Sequence, residues 1–157
     1  GTRSPPSSGA TYFQSASHLT TEVNVYLEIE AEKCTGCRIC ENFCSFHHEG
    51  AIWPERARIR VVAQGDDGPF APNVCRQCED APCAAACPVE AIVLDGHTGA
   101  WVVDVEECVG CGVCVEACPY GAMFLDEEQG VALKCDLCGG EPECTAMCPS
   151  EAIVTMV

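Results

Sequence analysis

The sixteen cysteines of this 157-residue chain fall into four groups of four, with none left over. The first, Cys34, Cys37, Cys40 and Cys44, and the third, Cys108, Cys111, Cys114 and Cys118, share the spacing C-x2-C-x2-C-x3-C. The second, Cys75, Cys78, Cys83 and Cys87, widens the middle gap to four residues, and the fourth, Cys135, Cys138, Cys144 and Cys148, widens it to five. A unit that recurs in this way outweighs any residue-by-residue propensity. Cysteine at this density belongs either to a disulfide scaffold or to a metal protein. Pairs separated by two residues, present in every group, suit a compact metal centre, whereas disulfides join more distant elements.

The spacing also speaks to which metal. In Cys108-Val-Gly-Cys-Gly-Val-Cys-Val-Glu-Ala-Cys118-Pro the fourth thiol stands apart from the first three and is followed by proline. The tight loop from Cys108 to Cys114 can cap three corners of a cubane, and Cys118, ~6 Å further along a helical turn, is carried toward a neighbouring site. In two-cluster ferredoxins the fourth cysteine of such a run ligates the other cluster, so the displaced thiol stitches two centres together. Zinc knuckles use two C-x2-C pairs with a longer loop between them, which leaves the third cysteine and the trailing Cys-Pro unexplained. Four groups then imply four [4Fe-4S] clusters with all sixteen cysteines as iron ligands and no zinc site. Against sixteen Cys stand five Phe, three Tyr and two Trp, so the clusters themselves are expected to serve as the core. Gly36, Gly110 and Gly112 lie between ligands, where a small residue permits a tight turn and lets backbone N–H groups approach cluster sulfurs.

Apolar or alternating runs at residues 23–29, 100–105 and 152–157 read as short strands. Residues 84–86 and 115–117, between third and fourth cysteines, suit one helical turn, stopped by Pro88, Pro119 or Pro149, with Ser45 standing in that place in the first group. The expected fold is α+β: small, loop-rich, tandem bacterial-ferredoxin-like repeats of hairpins and brief helices around four clusters. Residues 1–22, rich in Ser, Thr, Pro and Gly, are expected to form a polar arm packed on a partner subunit, and residues 23–157 the cluster domain.

The formal net charge of -16, with eight Lys and Arg, excludes a nucleic-acid partner, because phosphate binding needs clustered cations. Its acids read as a solvated surface or as a face that steers toward a basic redox partner. No apolar run approaches the ~20 residues of a membrane span. The opening Gly1-Thr-Arg-Ser-Pro-Pro carries neither an apolar signal nor a twin arginine, so a reduced, cytoplasmic setting is expected. No nucleophile–base pair, phosphate loop or Gly-x-Gly-x-x-Gly is visible, so no catalytic residue is assigned and flavin or nicotinamide must bind elsewhere. Enzymes that react at a cluster need an iron without a protein ligand, and all four groups here are complete. His47-His48 is expected at a surface or interface. Arg56, Arg58 and Arg60 alternate as one polar strand edge does, solvated or forming a basic contact patch. Lys33 and Lys134 each precede a first cysteine, where their charge could raise a local cluster potential.

The order and spacing of the groups resemble, over residues 23–157, the four-cluster ferredoxin-like electron-transfer subunits of molybdenum and tungsten oxidoreductases and of related hydrogenase, formate and carbon monoxide dehydrogenase systems. The resemblance implies that groups pair first with fourth and second with third. One cluster then takes Cys34, Cys37 and Cys40 with Cys148, and its neighbour Cys135, Cys138 and Cys144 with Cys44. A third takes Cys75, Cys78 and Cys83 with Cys118, and the last Cys108, Cys111 and Cys114 with Cys87. The compact last group, Lys134-Cys-Asp-Leu-Cys-Gly-Gly-Glu-Pro-Glu-Cys-Thr-Ala-Met-Cys-Pro149, is similar to that of the small subunits accompanying tungsten-dependent aldehyde oxidoreductases of the aldehyde ferredoxin oxidoreductase type. What this implies is a wire between a large tungsten- or molybdenum-pterin catalytic subunit and a flavin- or NAD-binding subunit or soluble ferredoxin. The alternatives are service to a hydrogenase, formate or carbon monoxide dehydrogenase system, or life as an independent soluble polyferredoxin.

Overall fold

The computed structural model describes residues 25–156, so the arm expected at residues 1–22 lies outside the described residues. Eight short strands pair into four antiparallel two-stranded sheets. They are β1 (Tyr26–Ile29) with β8 (Ile153–Met156), β2 (Ile59–Ala63) with β3 (Phe70–Val74), β4 (Ile92–Leu94) with β5 (Trp101–Val103), and β6 (Phe124–Asp126) with β7 (Val131–Leu133). Three of these join neighbours in sequence. The fourth closes the fold on itself, with Tyr26 opposite Met156 and Ile29 opposite Ile153. Period-2 alternation decides which faces are buried: in β2, Ile59 and Val61 point inward while Arg60 is half-buried.

Four helices carry the third cysteine of each group: α1 (Ile39–Glu49), α2 (Pro82–Ala86), α3 (Val113–Ala117) and α4 (Glu143–Met147). The last three are five residues long and stop at the residue before Cys87, Cys118 or Cys148, whose backbones are extended at ψ 116°, 115° and 110°. A residue preceding proline is driven to that conformation by its clash with the ring. Ser45 takes the proline's place in the first group, and α1 accordingly runs on through Cys44 to Glu49, eleven residues in all. It ends on Gly50 at φ 71°, whose N–H donates to the Phe46 carbonyl at 2.9 Å. The buried Ser45 hydroxyl donates to the Asn42 carbonyl at 2.9 Å and accepts from the Trp53 N–H at 3.0 Å, so it also ties down the loop that follows. The first repeat therefore departs from the single helical turn expected of every group.

Helix α1 packs on α4 and α2 on α3. The β2–β3 hairpin lies under α1, fastened by the buried Glu41 carboxylate, whose Oε1 accepts the Val61 N–H at 2.6 Å. The core is thin in hydrocarbon. Leu27, Ile59, Val74, Leu137 and Ile153 share one buried cluster with Cys40, Cys44, Cys75, Cys135 and Cys144, and Ile92, Met123 and Ala132 share another with Cys83 and Cys114. No aromatic side chain is among the described buried residues, while Tyr26, Phe43, Phe46, Phe70 and Tyr120 are exposed. The result is a small α+β fold of short helices and strands built around sulfur. Among the described residues, no helix is long and apolar enough to cross a membrane.

The arginine row does not form a strand edge, because only Arg60 lies in β2. Arg56 sits in a turn before it, stacked 3.9 Å over Trp53 and ion-paired with Glu49 at 3.3 Å, Asp126 at 3.0 Å and Glu128 at 2.7 Å. Arg58 pairs with Asp136 at 2.8 Å. In so acidic a chain the nearest carboxylates draw these guanidinium groups inward, where they knit separate repeats together.

Candidate iron-sulfur site

Each C-x2-C loop has the same backbone signature. The residue just before the second cysteine is left-handed in all four groups: Gly36 at φ 73°, Gln77 at 49°, Gly110 at 66° and Leu137 at 58°. A right-handed residue followed by a left-handed one forms a nest of inward N–H groups that suits an anion. In the second group the Gln77 N–H donates to Cys75 Sγ at 3.3 Å. Gly110 could be nothing else, since an added Cβ would lie 2.3 Å from the Gly130 carbonyl oxygen.

The Cys-Pro turns are built alike. The N–H groups of Glu90, Gly121 and Glu151 donate to the carbonyls of Cys87, Cys118 and Cys148, each at 3.3 Å. The next N–H in each case, from Ala91, Ala122 or Ala152, donates to the same cysteine's Sγ at 3.3, 3.4 and 3.3 Å. Those alanines are 1%, 0% and 1% exposed, which leaves no room for a larger side chain. They are functional positions that reading the cysteines and prolines alone does not find, although the recurring C-P-x-x-A at residues 87–91, 118–122 and 148–152 carries the signal. Cys44 lacks the proline and receives instead the Arg58 backbone N–H at 3.2 Å. Cys108 receives that of Ala132 at 3.4 Å.

All sixteen cysteines are free, and twelve of them line three cavities that cross the repeats. Cys87 meets Cys108, Cys111 and Cys114 around one pocket that Ile92, Val103 and Ala132 also line. Cys118 meets Cys75, Cys78 and Cys83 around another, and Cys44 meets Cys135, Cys138 and Cys144 around a third. In the remaining set, Cys40 lies within electrostatic reach of Cys37 and Cys148. The donor chemistry fits an iron–sulfur group: soft thiols select zinc, copper(I) or iron–sulfur centres.

Burial pushes the thiols upward, assisted by their negative neighbours. Cys40 and Cys135 are raised to about 12, Cys114 and Cys138 to about 11, Cys144 further still, and Cys78 and Cys83 in the same direction. At Cys83 the Lys134 charge opposes that rise. Cys148 goes the other way, because the Ser150 hydroxyl and the Ala152 N–H outweigh its burial. Without a cation the thiols that burial raises stay protonated, so metal must expel protons from them to bind.

His48 is not a surface residue. Its Nδ1 lies 2.8 Å from the Cys44 carbonyl and its Nε2 3.0 Å from Asp136 Oδ1, while Asp136 also accepts the Cys138 N–H at 2.9 Å. Burial alone would lower His48, but Asp136 outweighs it and the imidazole is raised to about 9. The imidazolium and Arg58 in turn overcome burial at Asp136 and hold its carboxyl well below the usual range. His47, His48 and Cys138 offer ligand atoms within 4.8 Å of one another, yet both ring nitrogens of His48 are already committed. His47 faces Glu143 at 3.7 Å.

Sulfur-lined cavities on this scaffold define an iron–sulfur protein. Residues 67–156 match the 4Fe-4S dicluster domain and residues 31–47 a 4Fe-4S binding domain. The chain belongs to the 4Fe-4S dicluster family of ferredoxin-like proteins, and it binds multiple [4Fe-4S] clusters. It is 47% identical over 124 residues to the polyferredoxin-like subunit of the aliphatic sulfonate oxidoreductase of Pyrococcus furiosus, a match that covers 79% of this chain and 71% of that one. It is 33% identical to the thiosulfate reductase electron transfer subunit PhsB of Salmonella typhi, covering 87% of this chain and 76% of the relative. Among solved structures it resembles a chain of the active site complex BamBC of benzoyl coenzyme A reductase with benzoyl-CoA, at TM-score 0.51 and 29% identity over 84% of this chain and 78% of that one.

Proposed function

We propose that this chain is the electron-transfer subunit of an oxidoreductase complex and that it holds four [4Fe-4S] clusters in a row. The observation that carries the reading is the crossing of the cysteines. In each of three cavities, three thiols of one group are completed by the last thiol of another. The ligand sets are Cys34, Cys37, Cys40 and Cys148; Cys135, Cys138, Cys144 and Cys44; Cys75, Cys78, Cys83 and Cys118; and Cys108, Cys111, Cys114 and Cys87. A bound [4Fe-4S] cluster supplies one-electron oxidation and reduction. The chain's own groups do the rest. Buried thiols hold the iron, N–H groups at Ala91, Ala122, Ala132 and Ala152 stabilise sulfur charge, and Ile92, Val103 and Met123 line the cavities and exclude water.

The order of the row follows from which cysteines face each other and which face solvent. Cys135 and Cys75, both buried, belong to one cluster of packed side chains and so join the two halves. Cys37 and Cys111, in the two outer sets of the proposed row, are exposed. Those ends are where another redox centre can come close. The partner at one end is a larger catalytic subunit, a tungsten- or molybdenum-pterin enzyme of the aldehyde oxidoreductase type, a reading supported by the compact group at residues 135–148. The other end meets a flavin- or NAD-binding subunit or a soluble ferredoxin.

Anaerobic isolation of the native protein tests this. The chain should elute with a larger subunit that contains tungsten or molybdenum, and that subunit's substrate should reduce the chain's clusters, read by EPR. A chain that elutes alone with its full iron, and exchanges electrons only with soluble carriers, would make it an independent polyferredoxin.

A further inference from the structure

The chain has two lysines, and their environments are opposite. Lys33 is half exposed and ion-paired with Glu30 at 2.6 Å, so its charge is neutralised beside the first group. Lys134 is 2% exposed. Its ammonium lies 3.0 Å from Cys75 Sγ, 2.7 Å from the Trp101 carbonyl, 3.1 Å from Gln77 Oε1 and 3.4 Å from the Cys135 carbonyl. Among the described residues no carboxylate is paired with it. A buried cation surrounded by neutral acceptors is very costly unless an anion balances it. The group in contact that can carry negative charge is the Cys75 sulfur. Gln77 and Trp101 orient the ammonium: Gln77 Oε1 also accepts the Trp101 N–H at 2.8 Å and its amide donates to the Cys135 carbonyl at 2.8 Å, so the cradle is rigid.

The other sulfur sets have no equivalent. Cys87, Cys108 and Cys44 receive backbone N–H groups, and Cys148 a backbone N–H with the Ser150 hydroxyl 3.7 Å away. The cations near Cys44, Arg58 and His48, are matched by Asp136. Among the described residues, Lys134 is the cation whose charged group donates to a cysteine sulfur.

We propose that Lys134 raises the reduction potential of the centre built on Cys75, Cys78, Cys83 and Cys118 and makes it the first in the row to accept an electron. The inference rests on the ligand sets proposed above. Reduction adds one negative charge to the centre, and a fixed buried positive charge on a ligand sulfur favours that state. The N–H···S bond also strengthens as the sulfur gains charge. Since Cys75 and Cys135 share one buried cluster, the electron would rest in the middle of the proposed row, away from the exposed Cys37 and Cys111.

The test uses the intact cluster-loaded chain in mediated redox titrations followed by EPR. In Lys134→Met the first reduction step should fall by more than 59 mV, which is tenfold in the reduced-to-oxidised ratio of a one-electron couple, with iron content unchanged. Lys134→Arg should keep it near the wild-type value. An unmoved first step at full iron content in Lys134→Met would overturn the proposal. Should that variant lose iron, wild-type protein labelled with lysine carrying 15N at Nζ decides. Poised so that only the first step is reduced, it should show a 15N coupling to the reduced centre by pulsed EPR, and a first-reduced centre without that coupling would refute the claim. Failure of the ligand sets reads out separately, as a Cys118→Ala variant that retains the signal carrying the coupling in full.

Discussion

A single sulfur illustrates how the centres are held. Cys118 closes α3, its carbonyl and Sγ are each taken by an N–H of the turn behind it, and its thiol faces a cavity whose other sulfurs, on Cys75, Cys78 and Cys83, belong to the preceding group. Cys118→Ala should therefore remove a ligand from that centre and leave Cys108, Cys111, Cys114 and Cys87 complete. Loss of one set of EPR signals with about four iron is expected. Damage confined to the centre at Cys108 would show that the crossing is wrong. Which residues bear sulfur was plain in the sequence, and the displacement of the fourth thiol said that it serves a neighbour. The outer contacts were not plain. Lys134 stands beside Cys135 in sequence but reaches the sulfur of Cys75, 59 positions earlier, and His48 finds Asp136 across 88 positions. Such contacts exist only once the repeats have docked, and no local pattern encodes them.

At the level of elements, the prolines were informative and their exception more so. Cys-Pro ends α2, α3 and α4 after five residues, as the clash of the ring with the preceding residue requires. Ser45 was visible as the missing proline, but its consequences, an eleven-residue α1 and a hydroxyl bridging Asn42 to Trp53, depend on burial that sequence does not display. The strands expected at residues 23–29, 100–105 and 152–157 correspond, over the described residues, to β1, β5 and β8, with β5 shorter at both ends. β4, the partner of β5, and the strands β3, β6 and β7, only three to five residues long, do not stand out. Ser45→Ala would leave the Trp53 N–H without its acceptor, at a cost of about 1–3 kcal/mol. We expect a lower temperature for cluster bleaching, whereas Ser45→Thr, which keeps the hydroxyl, should retain more of the stability. Equal behaviour of the two variants would mean that the bridge contributes nothing.

For the molecule as a whole, the aromatic deficit explains the architecture. Described buried apolar positions are filled by aliphatic residues, Met123 and cysteines, and strands of three to five residues cannot bury enough hydrocarbon to hold a domain of this size. The cavities between α2 and α3, and beside α1 and α4, are where the missing core belongs. In the proposed arrangement, filling them with metal and sulfide would join first repeat to last and second to third, so that assembly of the centres and folding become one event. The most direct test is therefore compositional: iron, acid-labile sulfide and zinc measured per chain on anaerobically purified protein. Four centres predict about sixteen iron and about sixteen sulfide with negligible zinc, since each cubane carries four of each. Zinc in quantity with iron near zero would contradict the account outright, and about half the iron in fully folded protein would contradict the row of four.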